Sequence, residues 1–196
     1  MDGSIIPAMV PEAPLERNEI GLAPAGPGWF VLNARDARWR HHEGRGDSLP
    51  FTGVTDYEAE TWFPQLGVAL RIIGPGEPIG IYHREADQEG FLILAGEALL
   101  LIEGEERPLR QWDFVHCPAE TEHMIIGAGN GPCILISMGS RQFMGGADSG
   151  WGAYTVAEIA LKHGVGVEEE TADAEIAYAR FPPTELMPYR DGLLPD

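Results

Sequence analysis

Short apolar runs separated by glycine, proline or acidic turns recur throughout the middle of this chain. The runs are rich in aliphatic and β-branched residues, which are favoured on the pleated surface of a sheet. The predicted strands cover residues 66–73, 79–84, 89–94, 97–102, 107–109, 114–117, 123–126 and 133–138. Many short strands at even spacing are typical of a sandwich or barrel, so the sequence predicts an all-β fold.

Four side chains with metal-binding chemistry fall on these predicted strands. His83 and Glu85 share one parity within a strand, so their side chains point to the same face. Glu89 opens the following strand, and His123 leads a later apolar segment. If all three segments face inward, the two histidines and the two glutamates meet. A single histidine on a strand is usually only a hydrogen-bonded side chain, but two histidines and two glutamates in this order favour a metal site.

The donor types narrow the choice of metal. Imidazole and carboxylate ligands suit iron, manganese, zinc or nickel. Two histidines and one carboxylate with open coordination positions form the arrangement of non-haem iron oxygenases. We predict one divalent metal ion (Fe, Mn, Zn or Ni) bound by His83, Glu89 and His123, with Glu85 as a fourth ligand or a catalytic base.

The spacing of these residues resembles the two signature motifs of the cupin superfamily. The matching residues are His83-x-Glu85-x3-Glu89-x6-Gly96 for the first motif and Asp113-x4-Pro118-x4-His123 for the second. The resemblance covers residues 66–140 and implies a cupin-type double-stranded β-helix (a jelly-roll barrel) that usually holds one metal ion with three histidines and a glutamate. Glu85 stands where the family usually has its second histidine. Glu120 stands where it usually has a glycine after the second-motif proline.

Glu85 changes the expected charge of the metal site. Three neutral imidazoles and one carboxylate leave a divalent ion with a net charge of about +1, whereas two imidazoles and two carboxylates cancel it. A neutral site favours harder ions such as manganese or iron and acidifies a bound water less. Two alternatives stay open. Glu85 acts as a general base or as a partner of another group outside the ligand set, or it pairs with an arginine such as Arg84 or Arg110 at the barrel mouth.

The length of the chain fits one domain with extensions. Its 196 residues, of which 44% are hydrophobic, suffice for one packed core, and no internal repeat indicates a second barrel. We expect a proline-rich N-terminal arm over residues 1–28 and the barrel, with a preceding strand and loop, over residues 29–145. A C-terminal extension with short helices is expected over residues 146–196.

The flanks of the barrel carry weaker local signals. Residues 29–32 are a short apolar run that predicts a strand, and the polar segment 38–44 predicts a solvated loop. Adjacent residues in an extended chain point apart, so His41 and His42 in that loop are not expected to bind a metal.

Helix signals appear only near the C-terminus. Thr155 and Glu158 form a capping-box pattern ahead of a short amphipathic helix. Asp173 is expected to cap another helical turn.

The strand at 97–102 is apolar on both parities. One face is expected to line the barrel, and the other needs cover from an extension or from a second subunit. Cupin barrels commonly pair, so the resemblance also implies a homodimer.

Acidic residues outnumber basic ones, 31 to 13, which gives a net charge of −18. This charge repels phosphate backbones and anionic lipids, so no nucleic-acid or membrane partner is expected. No apolar run approaches membrane-spanning length and residues 1–14 lack a secretion-signal pattern, so we expect a cytoplasmic protein. Cys117 and Cys133 are expected to be buried thiols, because two cysteines make no disulfide framework.

Two functions of different class follow from the predicted site. The first is a metal-dependent enzyme acting on a small polar molecule, of dioxygenase type or with isomerase or lyase chemistry. The second is a non-catalytic sensor or binding protein that holds a metal or a small ligand. The fold alone does not distinguish these functions.

Overall fold

A computed structural model describes residues 10–51, 65–143 and 149–195 of the chain. The strands are β1 (Leu15–Asn18), β2 (Gly21–Pro24), β3 (Arg38–His42), β4 (Gly46–Pro50), β5 (Leu66–Ile73), β6 (His83–Glu85), β7 (Glu89–Ala95), β8 (Glu97–Ile102), β9 (Glu105–Arg110), β10 (Phe114–Cys117), β11 (His123–Ala128), β12 (Cys133–Ser140), β13 (Gly152–Tyr154) and β14 (Glu185–Pro188). The helices are α1 (Glu158–Lys162) and α2 (Ala174–Ala177).

Two antiparallel sheets form the body of the protein. One has seven strands in the order β10-β7-β12-β5-β4-β3-β14, and the other has five in the order β13-β6-β11-β8-β9. The core between them includes Ile93 and Leu135 from the first sheet and Leu100 and Ile125 from the second. The predicted all-β jelly roll with short C-terminal helices is confirmed. Both sheets gain an edge strand from the expected C-terminal extension, since β13 and β14 lie after residue 146.

Most of the predicted strands appear, and three have the predicted bounds. β5, β8 and β10 match the predicted bounds, and most of the others differ only at their ends. The strand predicted at 79–84 is wrong over residues 79–82, because β6 begins only at His83. Ile81 and Tyr82 are both fully buried, so this stretch has no solvent-facing parity. The Tyr82 N–H donates to the carbonyl of Val165 instead of pairing with a neighbouring strand.

The two predictions for residues 29–44 are wrong. Residues 29–32 form no strand, and only an isolated bridge joins Trp29 to Glu12. The predicted loop at 38–44 is instead β3, which pairs with β4 and β14 and buries Trp39 completely. The prediction was wrong because the polar residues of β3 find their hydrogen-bond partners in other strands and in the C-terminal segment, which the local sequence does not show.

The outer faces of both sheets are covered by the C-terminal part of the chain. Leu101 of β8 packs in a cluster with Ala160 of α1 and Val165. Tyr189 and Leu194 pack in a cluster on the outer face of the seven-stranded sheet. The second apolar face of β8 is therefore covered within the chain itself.

The turns and caps agree with the sequence in part. Glu103 and Gly104, both with positive φ, form the hairpin turn between β8 and β9. The capping box is wrong, since α1 has Ala157 at its N-cap and no side-chain cap. The cap at Asp173 is confirmed, because its carboxylate accepts a hydrogen bond from the Glu175 N–H at 2.8 Å.

The two cysteines, Cys117 and Cys133, are buried and free, as predicted. No helix among the described residues has the length and apolar character needed to cross a membrane.

Candidate metal centre

Three predicted ligands converge from the two sheets. His83 and His123 are the first residues of neighbouring strands β6 and β11 and are register partners. Glu89 is the first residue of β7 in the opposite sheet. One ligand atom from each of the three side chains lies within 4.8 Å of the other two. The structure therefore brings His83, Glu89 and His123 into one group, as their spacing predicted.

One carboxylate oxygen lies at the centre of this group. Glu89 Oε2 is 3.1 Å from His123 Nε2 and 3.6 Å from His83 Nε2. His123 is almost completely buried, whereas His83 and Glu89 keep slight exposure.

The second ring nitrogen of each histidine is held by the backbone. His83 Nδ1 lies 2.7 Å from the carbonyl oxygen of Ile81, and His123 Nδ1 lies 3.0 Å from that of Thr121. A carbonyl only accepts hydrogen bonds, so Nδ1 carries the proton of each neutral imidazole. This arrangement leaves both Nε2 atoms as lone-pair donors, as in histidines that bind metals.

Two buried atoms of the group lack a hydrogen bond. Among the described residues, Glu89 Oε2 and His123 Nε2 have no partner with suitable geometry, despite the 3.1 Å between them. In the neutral tautomer both atoms are acceptors, and two buried acceptors facing each other need a cation. The donor set therefore fits a divalent metal ion.

In the metal-free site a proton is the competing cation. Burial lowers the pKa of His83, but its contacts with Glu85 and Glu89 outweigh burial and raise the pKa to about 10. Burial likewise lowers the pKa of His123, while Cys117 and Glu89 raise it to about 9. Burial raises the pKa of Glu89, and the two histidines lower it to about 2.

Glu85 lies beside the group without joining it. Its Oε1 is 3.4 Å from His83 Nε2, and its side chain is 30% exposed. Glu85 does not belong to the set whose ligand atoms are mutually within 4.8 Å. Arg84, one of the arginines considered as its partner, pairs instead with Glu120 and Glu170. Glu85 also lines the cavity beside His83.

Glu120 keeps the backbone conformation for which a glycine would be suited. Its φ is +67°, in the left-handed region that non-glycine residues rarely adopt. The Glu120 N–H donates to the carbonyl of Glu85, so the turn ties the two motifs together.

Aromatic residues from the C-terminal segment complete the site, and the sequence analysis missed them. Trp151, Tyr154 and Tyr178 line a cavity of about 150 Å³ together with His83 and Glu85. The Trp151 and Tyr154 ring centroids lie 6.2 and 6.1 Å from that of His83. No local motif marks them, because the pairing of β13 with β6 brings Trp151 and Tyr154 to the site, and Tyr178 packs against Tyr154.

His41 and His42 do not lie in the predicted solvated loop. His41 Nδ1 is 2.7 Å from a carboxylate oxygen of Asp47. His42 is buried, with its ring nitrogens each 2.9 Å from the hydroxyls of Thr184 and Ser48.

Comparison with known proteins places the motif region in a family. A model of the Cupin domain matches residues 69–139. No match is found among curated proteins.

Several solved structures are partly similar. A sugar phosphate isomerase from Silicibacter pomeroyi is 21% identical, covering 56% of this chain and 63% of that one, with a TM-score of 0.42. The DMSP lyase DddQ from Ruegeria pomeroyi is 22% identical, covering 52% and 49%, with a TM-score of 0.43. KdgF from a Halomonas species is 18% identical, covering 49% and 78%, with a TM-score of 0.40. The chain spans about half to two-thirds of the first matched structures, and such partial alignments assign no activity.

Proposed function

The chain belongs to the cupin superfamily, and we propose that it is a metal-dependent enzyme acting on a small polar molecule. His83, Glu89 and His123 are the proposed ligands of one divalent metal ion. The donor set supports dioxygenase, isomerase or lyase chemistry.

The observation that carries this proposal is the pair of buried acceptors. Glu89 Oε2 and His123 Nε2 face each other at 3.1 Å without a hydrogen bond among the described residues. Leaving two such groups unsatisfied costs free energy, and a bound metal ion removes that cost.

The surrounding residues support catalysis as well as binding. When bound, the metal ion supplies a Lewis acid that polarises a substrate oxygen. Glu85 reaches the cavity and can accept a proton from a bound molecule and return it. Trp151 and Tyr154 line the cavity on the side of His83 and limit the access of water to it.

Elemental analysis of protein purified without a metal-affinity tag tests the metal site. We expect one equivalent of a divalent metal ion per chain in the wild type and none in His83→Ala or His123→Ala. His116→Ala, which removes an exposed histidine of β10, is the matched control. Unchanged metal content in both site variants would contradict the proposal.

The identity of the metal then separates the reaction types. Iron with oxygen uptake in the presence of small polar substrates supports a dioxygenase. Manganese, zinc or nickel with turnover and no oxygen uptake supports an isomerase or a lyase. A metal with a retained ligand and no turnover indicates a binding protein and contradicts the catalytic part of the proposal.

A further inference from the structure

A larger cavity continues from the metal group toward the seven-stranded sheet. It has a volume of about 380 Å³, and its wall includes Glu85, Glu89 and Tyr178, which also line the smaller cavity beside His83. This volume lies at the lower end of the range for small-molecule sites. One molecule can therefore occupy the larger cavity and reach the metal group.

The wall of this larger cavity is basic. Four of the 13 basic residues in the chain line it, although the protein as a whole carries a net charge of −18. They are Arg40, Arg45, Arg71 and Arg141. Arginine is suited to such a position because its planar fork binds carboxylate and phosphate groups through paired hydrogen bonds.

Arg45 is held in place by aromatic rings. Its guanidinium carbon lies 4.7 Å from the centre of the Tyr178 ring and 4.9 Å from that of Phe181. Its Nε is buried and has no hydrogen-bond partner among the described residues. Arg45 therefore favours the binding of an anion, which would pair with its partly desolvated charge and accept a hydrogen bond from its unused N–H.

The arginines of this cavity also affect the pKa of His42. Burial, followed by the charges of Arg45, Arg71 and Arg40, lowers its pKa to about 3. His42 is therefore neutral at physiological pH and adds no charge. Its ring lies 3.4 Å from an Arg45 guanidinium nitrogen and helps to position it.

We propose that the arginine-lined cavity is an anion subsite and that the molecule bound there carries a carboxylate or phosphate group. Arg45 and Arg40 bind the anionic group, while the other end of the molecule extends to His83, Glu85 and Glu89. This inference rests on the proposed function, because it assigns a substrate class to that site. The subsite itself can be measured in protein without metal.

Titration calorimetry on chelator-treated, desalted protein tests the subsite, with inorganic phosphate and succinate as separate probes in low-salt buffer. We expect saturable binding of one equivalent of at least one probe, weakened about tenfold or more by Arg45→Gln and by Arg40→Gln. Tighter binding of phosphate indicates a phosphorylated substrate, and tighter binding of succinate indicates a carboxylate. Arg107→Gln removes a largely exposed arginine of β9 and is expected to leave the affinity unchanged.

One further variant and one further measurement keep the test decisive. If Arg45→Gln does not fold, Arg45→Lys retains the charge, and Arg40→Gln still decides the outcome. Metal content is measured on the same wild-type preparation before chelator treatment, so failure of the metal site is distinguishable from failure of the subsite. Wild-type protein that binds neither probe, or equal affinities in the wild type and both glutamine variants, would overturn the proposal.

Discussion

His83 and His123 face each other across β6 and β11 with ring centroids 4.9 Å apart. Each ring is fixed in the same way, by a hydrogen bond from Nδ1 to the carbonyl oxygen two residues earlier in the chain. The repeated contact orients both Nε2 atoms toward Glu89 before any ligand binds. Backbone carbonyl groups thus fix the orientation of both imidazole rings.

Glu89→Gln is expected to weaken metal binding strongly. The substitution keeps the shape of the side chain but removes the negative charge between the two histidines. Loss of a hydrogen-bond partner to a ligand costs roughly 10–100-fold in metal affinity, so loss of the ligand itself is expected to cost more. The measurement is a competition titration with a chromophoric chelator. Glu105→Gln, on exposed β9, is the control, and equal affinities in the two variants would contradict a role for Glu89 as a ligand.

His42 is expected to make the protein less stable in mild acid. In the unfolded chain it binds a proton as the pH falls through 6.5, whereas in the folded protein its pKa is about 3. Between these values His42 binds more protons in the unfolded state, so its contribution to the free energy of unfolding falls as the pH falls. At pH 5 the loss is on the order of 2 kcal/mol.

His42→Gln is expected to remove this contribution, so the free energy of unfolding of the wild type relative to the variant should fall as the pH is lowered from about 6.5 to 5, a window above the ordinary titration range of carboxylates. Urea unfolding at several pH values measures it. The same slope in the wild type and His42→Gln would show that the buried ring does not govern stability in this window.

Gly96→Ala is expected to destabilise the turn between β7 and β8. Gly96 has a φ of +76°, and a Cβ there would lie 2.3 Å from the carbonyl oxygen of Pro132. Backbone strain and the clash together are expected to cost on the order of 3 kcal/mol. Gly104 has a φ of +78° but no atom within 4 Å of an added Cβ, so Gly104→Ala is expected to cost only about 1 kcal/mol. Equal shifts in the urea midpoints would refute the role of the Pro132 contact.

The sequence predicted the metal group because that prediction needs only local information. His83, Glu89 and His123 are the first residues of their strands, and strand parity with motif spacing is enough to bring them together. The same reasoning failed at β3, where Trp39 and His42 are buried but their partners come from distant segments. A polar run whose hydrogen-bond partners are distant in the sequence has the same local pattern as a solvated loop.

The walls of the cavity could not be predicted for a related reason. Arg45 and Tyr178 are far apart in sequence and meet only because the C-terminal segment packs beside the β3–β4 turn. Neither has a local pattern that points to a site. Residues whose role depends on long-range packing leave no periodic signal in the sequence.

We expect the protein to form a homodimer through the edge strand β10. The C-terminal segment covers the outer faces of the sheets, but Trp112 and Phe114 are 67% and 61% exposed at this edge. Exposed aromatic residues on an edge strand are suited to pairing with a second copy. Light scattering at micromolar concentration is expected to give twice the chain mass of 21.4 kDa. Phe114→Ser should shift the mass toward the monomer, whereas Leu186→Ser, on β14 at the opposite edge, should not; a monomeric wild type would contradict the prediction.

Glu85→His is expected to show whether Glu85 contacts the metal. The substitution restores the histidine that the family usually has and removes the carboxylate that lies 3.4 Å from His83 Nε2, which makes the site more positive by one charge unit. If Glu85 is a ligand, the variant should keep the metal, shift its preference toward zinc, nickel or copper, and lower the pKa of a bound water. A competition titration of manganese against zinc on both proteins measures the preference. An identical preference together with lost activity would identify Glu85 as the base. Unchanged preference, affinity and activity would place it at the rim.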